Sequence, residues 1–373
     1  MKATEPLQTI KPEVRNLHPY SLSPDRARIK LNQNENPWGT PPEVKQETLT
    51  RLVDRPWSRY PDFIPVQLHQ KLAAFAGWTA DGIIAGNGSN ELIQAVLMVT
   101  LGPGKRLLIS EPTFALYKQI GTVLGAGVLS QPLTPELTYD AGLLKKSLQD
   151  QRPEVVIICS PNNPTGCVIQ HADLAELLEL TPGLIVVDEA YFEFSGQTAA
   201  PLLERYPNLV VLRTFSKAMA MAGLRVGYLL ASPELVREIS KAVLPYNLNA
   251  ISQTAAEVAL EMYASSLKPL VEKIISERER VFSRLQGISG LLPVRSRANF
   301  MVVKSSVEPA RVFKELLRRD ILIRDVSRYP LLKDYFRLSI GTTAENDQLL
   351  NGLEEIFTGR NILENYEHHQ KEA

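Results

Sequence analysis

Three apolar runs in the middle of the chain each end in side chains that can do chemistry. EVVIICS runs into SPNNPTG (Ser160 to Gly166), GLIVVDEAY carries Asp188 to Tyr191, and NLVVLRTFS ends at Thr214 to Lys217, with GLRVGY (Gly223 to Tyr228) close behind. Lys217 follows LVVLRTF, which sets it at the edge of a buried site. Partial desolvation and neighbouring cations favour its neutral amine, the form that attacks a carbonyl. Taken alone, a Ser-Lys pair after a strand reads as a surface lysine. Its company changes that reading.

Asp188 ends the run LIVV, a costly place for a carboxylate without a cationic partner. A protonated pyridine nitrogen is one such partner, and holding it protonated makes the ring an electron sink. A structural carboxylate that caps a turn or pairs with an arginine is the other reading, and the sequence leaves both open. Arg225, eight residues after Lys217, offers a planar fork suited to a phosphate, and Ser216 adds a hydroxyl. GNGSNEL predicts a turn opening into a helix whose free N–H groups and positive dipole end bind phosphate. Gly86-Asn87-Gly88 lacks the later glycine of the dinucleotide fingerprint, and no GxxxxGK[ST] occurs. Dinucleotide and P-loop readings therefore fail on spacing.

These residues need elements that bring them together. KRLLIS, EVVIICS, GLIVVDEAY and NLVVLRTFS are continuous apolar strands, and HADLAELLEL is a helix between the second and third. That alternation predicts a buried parallel sheet covered on both faces. Ligands of open α/β sheets sit beyond the carboxyl ends of the strands, so the three polar ends converge on one crevice. Apolar spacing predicts a short helix over Val44 to Leu52 and another over Val66 to Ala76, ending at Gly77. Residues 1–40, with HPYSLSPD and LNQNENPWGTPP, predict an extended arm with turns and no helix. After about Leu260 a long charged helix, LKPLVEKIISERERVFSRLQG, leads to ANFMVVKSS, a helix around VFKELLRRD, ILIRDV and FRLSIG. These shorter, more polar strands suggest a separate α+β domain. The expected division is an arm over 1–40 belonging to the small domain, a large domain over 41–262 and a small one over 263–373.

The bulk numbers permit this. A chain of 373 residues has room for two domains, and 44% hydrophobic with 22% charged residues is an ordinary globular balance. Forty-one basic and 41 acidic residues cancel, which gives no electrostatic footprint for nucleic acid or anionic membrane. Cys159 and Cys167 make neither a disulfide framework nor a common zinc pattern. They read as a strand-end thiol and a loop thiol, and no metal is expected. The N-terminus lacks an apolar signal region, and no apolar run approaches the ~18 residues that span a bilayer. A soluble cytoplasmic protein is the expectation, with His368 and His369 in a tail.

The ordered set SPNNPTG, DEAYFEF and RTFSKAMAMAGLRVGY resembles the fold-type I pyridoxal-phosphate aminotransferases, and the resemblance covers nearly the whole chain, from LNQNENPWG to FRLSIGT. Within that superfamily LNQNENP, RYPD, GNGSNELI, AGLRVGY, ILIRD and FRLSIGT look most like the histidinol-phosphate aminotransferases. The resemblance implies a large α/β domain with a mostly parallel seven-stranded sheet between helices, plus a smaller α+β domain. It implies that Lys217 bonds the aldehyde of pyridoxal 5'-phosphate and then shuttles protons. Asp188 would pair with the pyridine nitrogen, and Asn163 and Tyr191 would hydrogen-bond the ring's phenolic oxygen. Ser89, Asn90, Ser216 and Arg225 would hold the phosphate. Tyr60, in RYPD, would reach the phosphate in the neighbouring subunit of a homodimer.

Phe114 would stack on the ring where the family more often has Tyr; stacking survives, but any hydroxyl contact is lost. Asn90 likewise replaces a more usual Asp. For substrate, the resemblance points to Tyr20, Asn299, Arg324 and Arg337. In related enzymes the arginine matching Arg337 binds a carboxylate; here the phosphate of L-histidinol phosphate would take that place. The carboxylates of glutamate and 2-oxoglutarate would meet the same cations, so one anion site would serve both half-reactions of a transamination in histidine biosynthesis. Rivals on the same scaffold are an aromatic amino-acid aminotransferase and a threonine-phosphate decarboxylase. A rival of another class is a non-catalytic binding protein that kept the fold.

Overall fold

The computed structural model describes residues 5–19 and 24–359. The arm supplies β1 (Ile29–Lys30). Seven strands then form the larger sheet: β2 (Ile83–Gly86), β3 (Arg106–Glu111), β4 (Gly127–Pro132), β5 (Val155–Cys159), β6 (Leu184–Asp188), β7 (Leu209–Thr214) and β8 (Gly227–Leu230). Their order is β2-β8-β7-β6-β5-β3-β4, and only β8 runs against its neighbours.

The apolar runs explain why this sheet is interior. β5 and β7 are buried at every position. Successive side chains point to opposite faces, so such strands must be covered on both. Val156, Ile158, Val187 and Val211 join one buried cluster with Leu68 and Leu72 of helix Val66–Ala76. Val155, Ile157, Val186 and Val210 join another with Leu92 and Val96 of helix Ser89–Thr100. Each fully buried Val, Ile or Leu contributes about 1.5–3 kcal/mol.

The chain continues through helix Lys268–Gln286 into β9 (Leu291–Pro293), β10 (Phe300–Ser305), β11 (Ile321–Leu322), β12 (Arg324–Asp325) and β13 (Tyr335–Ser339). Antiparallel pairing gives a four-stranded sheet in the order β12-β13-β10-β9. Ile274, Val281 and Leu285 of the long helix pack with Phe300, Leu338, Ile29 and Leu31. β1 pairs with β11, and the backbone at Leu31 bonds to Leu322 and Ser339. The polar run that follows, Asn32 to Asn36, is thereby fixed between the two sheets.

The helices Pro42–Leu52, Val66–Ala76, Ser89–Thr100, His171–Leu180 and Pro309–Arg318 lie where the apolar spacing puts them, and Gly77 is left-handed at the second one's end. Three features differ from expectation. The arm is not free of helix: Glu5–Gln8 and Pro12–Arg15 each make one turn, the second started by a proline that suits a first helical position. ILIRDV is not one strand, because Ile323 turns into the core between β11 and β12. β2, β4 and β8 were not singled out; two are four residues long, and β4 is a half-exposed edge carrying Ser and Gln. Among the described residues no helix is long and apolar enough to cross a membrane.

Candidate active site

The register of the larger sheet brings the reactive ends level. Cys159 lies opposite Asp188, and Asp188 opposite Leu212; Gly227 at the start of β8 lies between Gly86 and Thr214. These ends open on a cavity of about 500 Å³. Asn163, Asp188, Tyr191, Ser216, Lys217 and Arg225 line it from the strand ends, Ser89 and Asn90 from the helix start, and Phe114 from the loop after β3. Arg324 and Arg337 line it from the smaller sheet.

Lys217 comes straight off β7. Its Nζ donates to the Gln33 carbonyl at 2.8 Å. Burial first, then the charge of Arg337, lowers its proton affinity from 10.5 to about 8, with Glu35 opposing. Asp188 is 3% exposed. Its Oδ2 accepts from the Tyr117 hydroxyl at 2.7 Å and its Oδ1 from the Ala190 N–H at 3.0 Å. Burial raises this acid to about 6 against both donors. Asp188 makes no ion pair among the described residues, whereas Glu189 beside it pairs with Arg213 at 2.9 Å, both nearly inaccessible. Only the turn-capping half of the structural reading is present, in the bond from Ala190.

The far wall is anion-seeking. Arg337 sits on β13, where its guanidinium donates to Asn163 Oδ1 and to the Asn32 carbonyl, both at 2.6 Å. Arg324 lies opposite it in the β12–β13 pair, and its side chain has neither hydrogen bond nor ion pair among the described residues. Like charges directly opposite are unfavourable unless an anion joins them. The Tyr191 hydroxyl accepts from Asn34 Nδ2 at 3.1 Å, and Asn34 is tied in turn to Ser339.

At the other end two missing side chains make a cradle. Gly88 has φ +80°, and a Cβ there would lie 2.5 Å from Arg225 Nη2. A Cβ on Gly227 would lie 2.3 Å from the Ser89 backbone nitrogen. Their absence lets the start of helix Ser89–Thr100 close on Arg225, which donates to Ser216 Oγ at 3.2 Å. Free helix N–H groups, hydroxyls and a guanidinium in one place form an anion site.

Not every expected residue joins the cavity. Asn299 is fully buried behind it; its Nδ2 donates to the Asn34 carbonyl at 3.0 Å, so it braces the 32–36 segment and makes no part of the lining. Tyr60 is 81% exposed and stacks on Tyr246 at 4.5 Å, away from the cavity of its own chain. Tyr20 lies outside the described residues, as do His368 and His369. Cys159 is buried at its strand end and Cys167 half-buried in the following loop. Sequence reasoning assigned no role to Asn32, Gln33, Asn34 or Tyr117. The first three belong to LNQNENP, where a polar run after the buried Leu31 was the available signal; Tyr117 follows Phe114 by three residues, one helical turn.

The family model for aminotransferase class I and II matches residues 26–353. The chain is 38% identical over 355 residues to the histidinol-phosphate aminotransferase of Chlorobium phaeovibrioides, covering 95% of this chain and 98% of that one. Among solved structures it is similar to the histidinol-phosphate aminotransferase of Sinorhizobium meliloti in complex with pyridoxal-5'-phosphate, with a TM-score of 0.84 at 25% identity over 94% of this chain and 97% of that one. The Clostridium acetobutylicum histidinol-phosphate aminotransferase gives a TM-score of 0.81 at 25% identity, covering 89% and 99%.

Proposed function

The chain belongs to the class I and II aminotransferases, and from that membership we propose that it transfers an amino group from L-histidinol phosphate to 2-oxoglutarate. The products are imidazole-acetol phosphate and L-glutamate, the cofactor is pyridoxal 5'-phosphate, and the step belongs to histidine biosynthesis in the cytoplasm. The observation that carries the reading is the polarity of one cavity. It combines a lysine with lowered proton affinity, a buried carboxylate with no ion pair among the described residues, and anion-binding groups at two separate ends.

The cofactor's chemistry fits those features. Asp188 is a buried anion that a protonated ring nitrogen would balance. Ser89, Asn90, Ser216 and Arg225 would hold the phosphate in the cradle that Gly88 and Gly227 leave open. Asn163 and Tyr191 would bond the phenolic oxygen, and Phe114 would lie against the ring face. When bound, the cofactor supplies the sink for the electron pair released at the substrate's α-carbon. Lys217 would hold the cofactor through its aldehyde, with loss of water, because its amine is readily neutral; once substrate takes its place, the same nitrogen would carry the α-proton off and back. Its lowered proton affinity suits both tasks near neutral pH.

Arg324 and Arg337 would bind the phosphate ester of one substrate and a carboxylate of the other, with Tyr20 beside them. Tyr60 supports a homodimer. It lies with Trp57, Phe63, Leu244 and Tyr246 among exposed large apolar side chains, and such patches mark interfaces. In that dimer Tyr60 would reach the phosphate of the partner's cofactor.

A substrate panel tests the reading. L-Histidinol phosphate, phenylalanine, tyrosine and threonine phosphate are offered with 2-oxoglutarate while carbon dioxide is monitored. The expected result is the highest kcat/KM for L-histidinol phosphate and no gas. Dominant turnover of phenylalanine or tyrosine, or carbon dioxide from threonine phosphate, would assign the site to another enzyme on this scaffold.

A further inference from the structure

We infer that Tyr117 is a positioning residue for the reaction: its buried hydroxyl holds Asp188 in the carboxylate form, which leaves the shared proton on the ring nitrogen of the bound cofactor. The inference rests on the pyridoxal-phosphate reading above and deepens it.

Tyr117 is wholly inaccessible and lies in the first turn of helix Leu116–Val123. Its hydroxyl donates to Asp188 Oδ2 at 2.7 Å, the one side-chain hydrogen bond that Asp188 receives among the described residues. The other donor, the Ala190 N–H, is backbone. Around them, Glu189 is held by Arg213, and the Cys159 thiol, pushed up chiefly by burial, stays neutral and donates to the Pro161 carbonyl. Tyr117 itself is pushed well above its ordinary value, by burial first and by the charge of Asp188 next. It therefore remains a donor across the working pH range.

The chemistry follows from competition for one proton. Asp188 and a ring nitrogen are both bases, and the proton rests on the stronger. A donor to the carboxylate stabilises its charged form and makes it the weaker competitor. Without the Tyr117 hydroxyl, Asp188 regains basicity and the proton moves from the ring nitrogen toward the carboxylate oxygen. The ring then accepts electrons less well, while substrate anions still find Arg324 and Arg337. Tyr117 also packs edge-on against Phe114 at 5.5 Å and donates its N–H to the Phe114 carbonyl, so the entry to this helix fixes both the donor and a wall of the site.

Tyr117→Phe removes one oxygen and keeps the ring. Holoenzyme is reconstituted with pyridoxal phosphate labelled with nitrogen-15 in the ring, and its magnetic resonance shift reports protonation of that nitrogen. The expected variant signal moves toward the unprotonated position. In parallel kcat falls about ten- to a hundredfold, the scale of one hydrogen bond to a charged group, and KM for both substrates stays within about twofold of native. A signal that does not move overturns the assignment, whatever happens to kcat. Should Tyr117→Phe fail to fold, 4-aminophenylalanine at position 117, a weaker donor of nearly the same size, must move the signal toward the unprotonated position; no movement again overturns it. A native protein that takes up no cofactor overturns the parent reading as well, which separates the two failures.

Discussion

Asp188 and Glu189 are adjacent carboxylates at the end of β6, yet among the described residues only Glu189 is paired with an arginine. Ionised Asp188 costs the folded protein free energy, and the sign can be worked out. Its pKa rises from 3.8 to about 6 on folding, so the penalty is absent well below 3.8, grows as pH rises between the two values and is complete above about 6. A shift of roughly two units corresponds to about 3 kcal/mol. Cofactor-free Asp188→Asn should therefore be more stable than the parent at pH 7, by up to about 3 kcal/mol, with the gain fading as pH falls from about 6 to about 4. Urea unfolding across pH measures this; an equal gain at pH 3 and pH 7 would contradict it. Turnover should collapse in the same variant. Arg337→Ala should raise KM for L-histidinol phosphate and for glutamate alike, by about ten- to a hundredfold for a lost charge-assisted contact. If steady-state kinetics show only glutamate affected, the shared anion site is wrong. Lys217 and Asp188 were legible in the sequence because each ends an apolar run, where a charge needs a reason. Tyr117 and Asn34 were not, because no local pattern tells which hydroxyl or amide lies across the fold from a given strand end.

At the scale of elements, the site depends on how closely β8 approaches the helix that starts at Ser89. Gly227→Ala would put a methyl carbon 2.3 Å from the Ser89 nitrogen, and neither backbone can yield without moving the cradle. Overpacking of this kind costs about 1–3 kcal/mol. The expected outcome is a lower Tm and at least about tenfold weaker retention of pyridoxal phosphate by dialysis. Gly102→Ala, which meets nothing within 4 Å, should change neither; equal loss in both variants would sink the cradle. Apolar spacing located helices Val66–Ala76, Ser89–Thr100 and Lys268–Gln286, and continuous apolar runs located β5, β6 and β7, but helices Ala141–Gln151, Ala250–Glu261 and Thr343–Thr358 went unnoticed. Neither signal located β8, whose four residues sit inside a motif read for chemistry. The family resemblance, not periodicity, suggested a substrate contact for Asn299, whose buried amide braces the Asn34 carbonyl.

The whole molecule sets one sheet's strand ends against two arginines from another, with the Asn32 to Asn36 segment bonded to both sides. That arrangement was visible in outline as a change of texture after Leu260, though the bonds joining the parts were not. We expect the 41.6 kDa chain to sediment at about twice its mass, and mixed dimers of Lys217→Ala with Tyr60→Ala chains to recover activity that neither variant has alone. A monomeric native protein, or mixtures no better than their components, would remove Tyr60 from the site. The most direct test of the central claim is a single half-reaction. Yellow holoenzyme, free of keto acids, is mixed with one equivalent of L-histidinol phosphate while its visible absorbance is followed. The account predicts that the colour bleaches as one equivalent of imidazole-acetol phosphate appears per chain, and that 2-oxoglutarate restores it. A colour untouched by L-histidinol phosphate, or already absent in a protein whose Lys217 is intact, would contradict it.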